Sequence, residues 1–171
     1  PVPLAADGVW VVTGGARGIT PGLAEALARR GVRRLVLLGR TAVTDDPPPC
    51  VGVDDDAGLK RALLAAAGAI GPAELRAQVQ QIERSREVRR ALARLEGAGA
   101  EVRYLAVDLL DRPALAAALA EVRAAWGPIT GLVHAAGVLA DRAIEHKTDA
   151  EFARVLATKI EGLESALAAT A

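Results

Sequence analysis

The sequence predicts an α/β fold in which helices flank an open parallel sheet. Four apolar runs of strand length occur at residues 9–12, 35–38, 102–107 and 129–133. Segments with the apolar spacing of helices separate these runs. Strands that alternate with helices form parallel sheets with right-handed crossovers, and ligands bind outside the carboxyl ends of such strands. We therefore expect function at the ends of the predicted strands.

A strand, a helix and a second strand account for about the first 40 residues. The apolar run at residues 9–12 predicts a buried strand, and a glycine-rich turn follows at residues 13–20. Pro21 predicts a helix start, because proline is tolerated in a first helical turn, and Gly31 predicts the C-cap. The second strand, at residues 35–38, completes a β-α-β unit.

Residues 42–84 predict a helical and loop insert between the second strand and the helix that precedes the third. Prolines and aspartates crowd residues 42–56, which predicts a surface loop. Helical patterns follow, and the last of them is expected to begin a separate helix near Ser85. The residues of these patterns are Leu59, Leu63 and Ala67, then Leu75, Val79 and Ile82, then Val88, Leu92 and Leu95. We interpret residues 1–171 as a single domain that contains this insert.

The rest of the chain predicts two strands and two helices. Asp111 predicts the N-cap of the helix after the third strand, and Gly127 ends that helix. After the fourth strand, Thr148 and Glu151 fit a capping box for the last helix. That helix carries an apolar stripe composed of Phe152, Leu156, Ile160, Leu163 and Leu167.

Composition argues against several classes of function. Hydrophobic residues make up 51% of the chain and charged residues 25%, which predicts a compact globule. Because 21 basic residues balance 21 acidic ones, the net charge favours neither nucleic acid nor an acidic membrane. No apolar run approaches the ~20 residues of a membrane span, and one cysteine with two histidines argues against a metal site. The single cysteine fits a reducing compartment, so we expect a cytoplasmic protein.

The turn after the first strand has the composition of a phosphate-binding turn. A phosphate needs backbone N–H groups and the positive end of a helix dipole, and glycines let it approach the backbone closely. A glycine turn alone is a weak signal, so an ordinary turn is an alternative, but the flanking strand and helix favour a dinucleotide. The candidate residues are Thr13, Gly14, Gly15, Arg17, Gly18 and Ile19.

The end of the second strand predicts which dinucleotide binds. An NAD site has an acidic residue there, whereas this chain has Gly39, Arg40 and Thr41. A guanidinium can pair with the 2′-phosphate of NADPH, and Arg17 favours the same choice. The alternative is a solvated arginine on a surface loop, in a chain where all but three of the 21 basic residues are arginines.

The third and fourth strands end in further candidates. Asp108 lies either near a bound adenine or in an ordinary strand-end turn. His134 is interpreted as a buried, hydrogen-bonded imidazole and not as a base. The small residues Ala135, Ala136 and Gly137 would let a cofactor pass close to the backbone.

Lys159 is the most informative single residue of the last helix. Its spacing from Phe152, Val155 and Leu163 places it on the same helix face as apolar residues. A charge within an apolar stripe costs desolvation unless another group compensates for it. Either the side chain extends to solvent at the edge of the stripe, or its ammonium serves a cofactor hydroxyl or an acidic catalytic group.

Four motifs occur in order along the chain, at residues 13–19, 38–41, 108–109 and 134–139. Together they resemble the short-chain dehydrogenase/reductase superfamily, and most closely the ketoreductase domains of polyketide synthases. Three shorter segments, at residues 85–87, 139–141 and 158–163, resemble the subgroup found in polyunsaturated-fatty-acid synthases and related iterative synthases. The resemblance covers nearly the whole chain and implies a Rossmann-like sheet with the strand order 3-2-1-4.

The resemblance also implies an oxidoreductase reaction. In the family, NADPH reduces a β-ketoacyl thioester carried on an acyl carrier protein. A tyrosine donates the proton, a serine holds the carbonyl, and a lysine, which matches Lys159, lowers the tyrosine pKa and binds the nicotinamide ribose. By the same resemblance Leu109 joins Asp108 and the residues named above as a cofactor-binding candidate.

The family's serine and tyrosine have no counterpart in this sequence. Ser165 lies on the helix that precedes their strand, and Tyr104 lies in the third strand. We therefore interpret the chain as the N-terminal, incomplete part of a ketoreductase that binds NADPH but turns over negligibly by itself. Its expected partners are an acyl carrier protein, neighbouring synthase domains and a complementary C-terminal segment, with no nucleic acid or membrane.

Two other interpretations compete with this one. A non-catalytic nucleotide-binding or structural module of a multienzyme is the main alternative. By the same resemblance, polyketide ketoreductases contain a degenerate structural half without an intact glycine turn, so the turn in this chain argues against that assignment. A sugar-nucleotide epimerase of the extended type would need glycine at the position of Arg17.

Overall fold

The computed structural model describes residues 7–14 and 16–171, and the chain divides into two compact units. The first unit combines the chain up to Arg40 with Ala91–Ala171 and contains the sheet. The second unit is Thr41–Arg90. The single domain with an insert at residues 42–84 stays a prediction.

The first unit is built on a four-stranded parallel sheet. Its strands are β1 (Val9–Thr13), β2 (Arg34–Gly39), β3 (Glu101–Ala106) and β4 (Ile129–His134), in the order β3-β2-β1-β4. Each neighbouring pair is parallel. The predicted α/β class and the strand order 3-2-1-4 are confirmed. The central strands β1 and β2 are mostly buried, which explains their continuous apolar runs.

Six helices are present among the described residues. They are α1 (Thr20–Arg29), α2 (Asp56–Ala67), α3 (Pro72–Gly97), α4 (Arg112–Trp126), α5 (Asp149–Leu156) and α6 (Gly162–Thr170). As predicted, Asp111 caps α4, accepting a hydrogen bond from the Ala114 N–H at 3.1 Å. The core of the first unit joins strand residues to the buried face of α4: Val9, Val11, Val36, Leu38, Leu109, Leu115, Leu119, Val122, Trp126, Ala136 and Ala169.

Helix α3 runs unbroken from Pro72 to Gly97, so the prediction of a helix start at Ser85 was wrong. No proline or glycine occurs between these two residues, and nothing therefore interrupts the helix. The Ser85 hydroxyl is buried and accepts a hydrogen bond from the Thr44 N–H at 3.2 Å. A serine with such a partner is as compatible with a helix interior as with an N-cap.

The last predicted helix is divided in two by a π-helical turn at Ala157–Glu161. Most of the predicted apolar stripe is exposed: Phe152 by 59%, Leu156 by 47%, Ile160 by 49% and Leu167 by 53%. The buried residues of α6 are Gly162, Ser165, Ala166 and Ala169. A π turn adds a residue and rotates the following side chains by about 100°, so a straight-helix pattern does not hold across it.

The second unit has a small core of its own, formed by Cys50, Leu59, Leu63, Val79 and Ile82. Its loop is held by Arg86, which donates to the Asp46 carboxylate at 2.7 Å. The same guanidinium donates to the carbonyls of Cys50 and Val53, at 2.8 and 2.6 Å. The predicted loop at residues 42–56 is therefore tied to α3 at several points.

Candidate functional site

The carboxyl ends of β1 and β4 are joined by a short hydrogen-bond network. Thr13 and His134 are register partners, and the Thr13 hydroxyl lies 2.9 Å from Nδ1 of His134. The same hydroxyl oxygen accepts from the Ala136 N–H at 3.2 Å, and the Thr13 carbonyl accepts from the Ala135 N–H at 3.2 Å. These bonds fix where the chain leaves both strands.

The glycine turn packs directly on the end of β4. Gly14 has φ +95°, a conformation that L side chains rarely adopt. A Cβ at this position would lie 2.7 Å from the Ala135 carbonyl carbon and 2.8 Å from its oxygen. The close approach therefore requires glycine. Gly15, also a predicted site residue, lies outside the described residues.

The other end of the turn opens to solvent at the start of α1. Gly18 has φ +63°, and a Cβ there would meet no atom within 4 Å. Arg17 is exposed, and so is Ile19, by 92%. Ile19 occupies the N-cap position of α1 and has no side-chain acceptor for the first helical N–H groups, while the first turn contains no acidic residue. The first turn of α1 therefore supplies no carboxylate to offset the positive end of the helix dipole.

Five further predicted residues lie at or just after the ends of β2 and β3. Gly39 is half-buried and its carbonyl accepts from the Val107 N–H at 2.8 Å, while Arg40 is exposed. The Asp108 carboxylate accepts from the Leu110 N–H at 3.0 Å, which is the strand-end turn considered above. Leu109 is 8% exposed and belongs to the core. Thr41 begins the second unit.

Lys159 lies in the π-helical turn and reaches the segment that follows β4. A Cβ on Gly137 would lie 3.1 Å from both Cε and Nζ of Lys159. The absence of a side chain at Gly137 therefore makes room for the ammonium group. The structure thus brings Lys159 to Gly137, two residues that the sequence analysis named as separate candidates.

Burial and a neighbouring charge both disfavour protonation of the His134 imidazole. Burial lowers the pKa of His134, and the positive charge of Lys159 lowers it further. The backbone of Thr158 and Lys159 acts in the opposite direction. His134 is half-buried rather than buried, and its Nδ1 pairs with the Thr13 hydroxyl; its role as a hydrogen-bonded imidazole and not a base stays a prediction.

The serines and the tyrosine of this chain occupy structural positions. Ser165 donates to the Glu161 carbonyl at 2.7 Å within its own helix, and Ser85 is buried in α3. Tyr104 lies in β3, opposite Leu37 of β2. Sequence reasoning did not find the link between Thr13 and His134, because only the register of β1 against β4 brings them together.

Two further searches concern the described part of the chain. Within residues 7–14 and 16–171, no group of three or more His, Cys, Asp or Glu side chains could hold a metal ion. In the same residues, no helix has the length and apolar character needed to cross a bilayer.

Comparison with known proteins identifies the family. The model of the KR domain matches residues 8–171. The chain belongs to the KR domain family. This confirms the resemblance to the ketoreductase domains of polyketide synthases and to the short-chain dehydrogenase/reductase fold, a family whose members bind nicotinamide cofactors.

Known relatives of this KR domain include a polyunsaturated fatty acid synthase from Thraustochytrium sp., 38% identical over 176 residues. The match covers 96% of this chain but 6% of that protein. A ketoreductase domain from the bacillaene assembly line superposes with a TM-score of 0.67 at 26% identity, over 99% of this chain and 31% of that one. An actinorhodin polyketide ketoreductase variant, solved with NADPH, has a TM-score of 0.61 at 20% identity, over 97% of this chain and 47% of that one.

Proposed function

We propose that this KR domain binds NADPH and serves the reduction of a β-ketoacyl thioester to the β-hydroxyacyl thioester. The substrate would be carried on an acyl carrier protein of a polyketide or fatty-acid synthase. The observation that carries the proposal is that the glycine turn and the Lys159 ammonium converge on the segment after β4: Gly14 packs on Ala135, and Lys159 lies at Gly137.

The glycine turn is proposed to hold the cofactor pyrophosphate. The turn runs from Thr13 to Ile19, ends at an uncapped helix N-terminus, and has no acidic residue in the first turn of α1. Backbone N–H groups and the helix dipole both favour an anion at such a position. Gly18, with open space around it, would let the phosphate groups approach the backbone.

The adenosine end is proposed to lie beyond β2 and β3. Arg40 is exposed directly after Gly39, and its guanidinium would pair with the 2′-phosphate together with Arg17. Thr41 stays a cofactor-binding candidate on the sequence motif that it shares with Gly39 and Arg40. Asp108 already accepts a backbone N–H, so we assign it and Leu109 the shaping of the adenine-side wall rather than a direct bond.

The nicotinamide end is proposed to lie along Ala135, Ala136 and Gly137. These residues present little side-chain volume, and Lys159 reaches the same segment, with Cε and Nζ 3.1 Å from where a Cβ on Gly137 would lie. When bound, NADPH supplies the hydride. Lys159 would donate hydrogen bonds to the ribose hydroxyls, and its charge would lower the pKa of a nearby proton donor.

A titration with both reduced coenzymes tests the cofactor assignment. Charge-assisted hydrogen bonds contribute about 1.5–3 kcal/mol, so we expect NADPH to bind at least about 10-fold more tightly than NADH. Arg40→Ala should remove most of that preference. Arg30→Ala is the matched control, because it removes the same charge from the other end of α1, about 15 Å from the turn. Equal dissociation constants for the two coenzymes in the unmodified chain would contradict the NADPH assignment.

The second candidate is a non-catalytic nucleotide-binding module of a multienzyme. For these 171 residues tested alone, this candidate is favoured by the positions of Ser85, Ser165 and Tyr104. Ser85 is buried in α3, Ser165 bonds within its own helix and Tyr104 lies in β3, so we assign none of them as a catalytic residue. We expect the purified chain to bind NADPH and to show negligible oxidation of it in the presence of a β-ketoacyl thioester. Measurable reduction would show that the chain contains a proton donor we have not recognised.

A further inference from the structure

We propose that His134 is a positioning residue that orients the π-helical turn carrying Lys159, with a neutral imidazole whose Nε2–H donates to a backbone carbonyl of that turn. Its importance for catalysis rests on the proposed function, because Lys159 is the group that is positioned. The hydrogen-bond arrangement itself can be tested without any cofactor.

The environment of Thr13 assigns the tautomer of His134. The Thr13 hydroxyl oxygen accepts from the Ala136 N–H at 3.2 Å and lies 2.9 Å from Nδ1 of His134. Thr13 is completely buried, so its hydroxyl proton needs an acceptor within the protein. Nδ1 provides that acceptor only when it carries no proton. The proton of the neutral ring is then on Nε2.

Nε2 consequently becomes a donor that is directed away from β1. This atom is buried and has no hydrogen-bond partner among the described residues. A buried donor without a partner is costly, and such groups are rare unless they serve a function. The turn lies near the ring, because Lys159 reaches Gly137, three residues beyond His134, and the backbone of Thr158 and Lys159 acts to raise the pKa of His134. We assign a carbonyl of this pair as the acceptor, reached by a small shift of the ring or the turn.

The π-helical turn is an element that needs such an anchor. Its wide turn spans Ala157–Glu161, and Gly162 donates back to the Ala157 carbonyl. Within the turn, the Thr158 hydroxyl donates to the Arg154 carbonyl at 2.9 Å, and after it the Ser165 hydroxyl donates to the Glu161 carbonyl at 2.7 Å. Hydroxyls that bond backward along a helix bend it locally. A hydrogen bond from the Nε2–H of His134, at the end of β4, would favour the π-helical arrangement of this turn over an α-helical one.

The position of Lys159 depends directly on that arrangement. Its side chain crosses to Gly137, three residues beyond His134, where a Cβ would lie 3.1 Å from Nζ. A turn wound as an α-helix would rotate Lys159 by part of a turn and carry the ammonium away from Gly137. His134 therefore couples the end of β4 to the location of the cation.

Two substitutions separate the functions of the two ring nitrogens. His134→Asn places an amide oxygen near Nδ1 and keeps the acceptor for Thr13, but it cannot reach the turn. His134→Gln places its amide nitrogen near Nε2 and keeps the donor toward the turn. If only the bond to Thr13 mattered, the glutamine variant would show the greater loss of protection from amide exchange. If His134 positions the turn, the asparagine variant would show the greater loss.

The experiment measures amide hydrogen exchange in the full 171-residue chain without cofactor. We expect His134→Asn to accelerate exchange about 10-fold at residues 157–161, as loss of one hydrogen bond implies, with little change in β1. His134→Gln should stay within about 3-fold of the unmodified chain. Unchanged exchange in the asparagine variant, or faster exchange in the glutamine variant, would overturn the proposal.

Nitrogen NMR of the unmodified chain gives a test that does not depend on variant folding. We expect the neutral tautomer with the proton on Nε2, and a proton on Nδ1 would overturn the proposal. NADPH titration of the same samples separates this inference from the proposed function. If NADPH does not bind but the exchange pattern holds, the cofactor assignment fails and the positioning of the turn stands. If NADPH binds and the exchange is unaffected, only the positioning fails.

Discussion

Replacing Gly14 with alanine should destabilise the first unit more than the same change at Gly18. Two effects combine at this position. A positive φ costs an L residue about 1–2 kcal/mol, and Gly14 has φ +95°. The new Cβ would also lie 2.7–2.9 Å from three backbone atoms of Ala135 and Ala136. Relieving such an overlap by backbone movement costs about 1–3 kcal/mol, so the sum is about 2–5 kcal/mol.

Two other glycines provide matched controls for the same chemical change. Gly18→Ala keeps the conformational cost without the overlap, because φ is +63° and no atom lies within 4 Å. It should therefore destabilise by about 1–2 kcal/mol. Gly22→Ala lies within α1 in open space and should be neutral or stabilising by up to about 1 kcal/mol.

Urea unfolding followed by tryptophan fluorescence measures these differences. Both tryptophans, Trp10 in β1 and Trp126 in α4, belong to the first unit, so the signal reports on the unit that contains the turn. The expected order of stability is Gly22→Ala, the unmodified chain, Gly18→Ala and then Gly14→Ala. If Gly14→Ala is no less stable than Gly18→Ala, the turn does not pack on the end of β4 and the reasoning is refuted.

Three further predictions concern charged groups. The pKa of His134 is lowered in the folded state, so the unfolded chain binds a proton at higher pH than the folded chain does. As pH falls below 6.5, the unmodified chain should therefore lose stability relative to His134→Gln, as measured by urea unfolding at a series of pH values. Asp46→Asn should destabilise the second unit by about 1–3 kcal/mol in unfolding followed by circular dichroism, whereas Asp45→Asn, at an exposed carboxylate, should not. Because Arg86 lowers the pKa of Asp46, the stability difference between Asp46→Asn and the unmodified chain should vanish only as pH falls below 3.8. Lys159→Ala should weaken NADPH binding about 10-fold in fluorescence titrations without lowering the urea midpoint; unchanged affinity would contradict the assigned role.

The sheet was predictable because its signals are local. Buried parallel strands need continuous apolar runs on both faces, and short connections between such runs restrict the topology to few arrangements. The cap at Asp111 was predictable for the same reason, since one side chain and one N–H three residues later form it. The capping box at Thr148 and Glu151 is present as predicted, because it too depends on residues only three positions apart.

The errors occurred where distant contacts decide. The start predicted at Ser85 does not exist, because no proline or glycine interrupts α3, and the Ser85 hydroxyl accepts from the Thr44 N–H, 41 residues away in sequence, instead of capping a helix. The stripe on the last helix is largely exposed both before and after the turn at Ala157–Glu161, where the helical period changes. Neither the remote partner nor the change of period leaves a mark in local spacing.

The sequence by itself determined the class of fold and the glycine turn, and it named the residues that we propose surround a cofactor. The tertiary structure decided how those residues meet: the register that sets Thr13 against His134, the backbone contact that requires Gly14, and the widened turn that carries Lys159 to Gly137. The physical reason is range. Propensities, caps and apolar periods act over a few residues, whereas register and packing are set by the whole chain once its strands have paired.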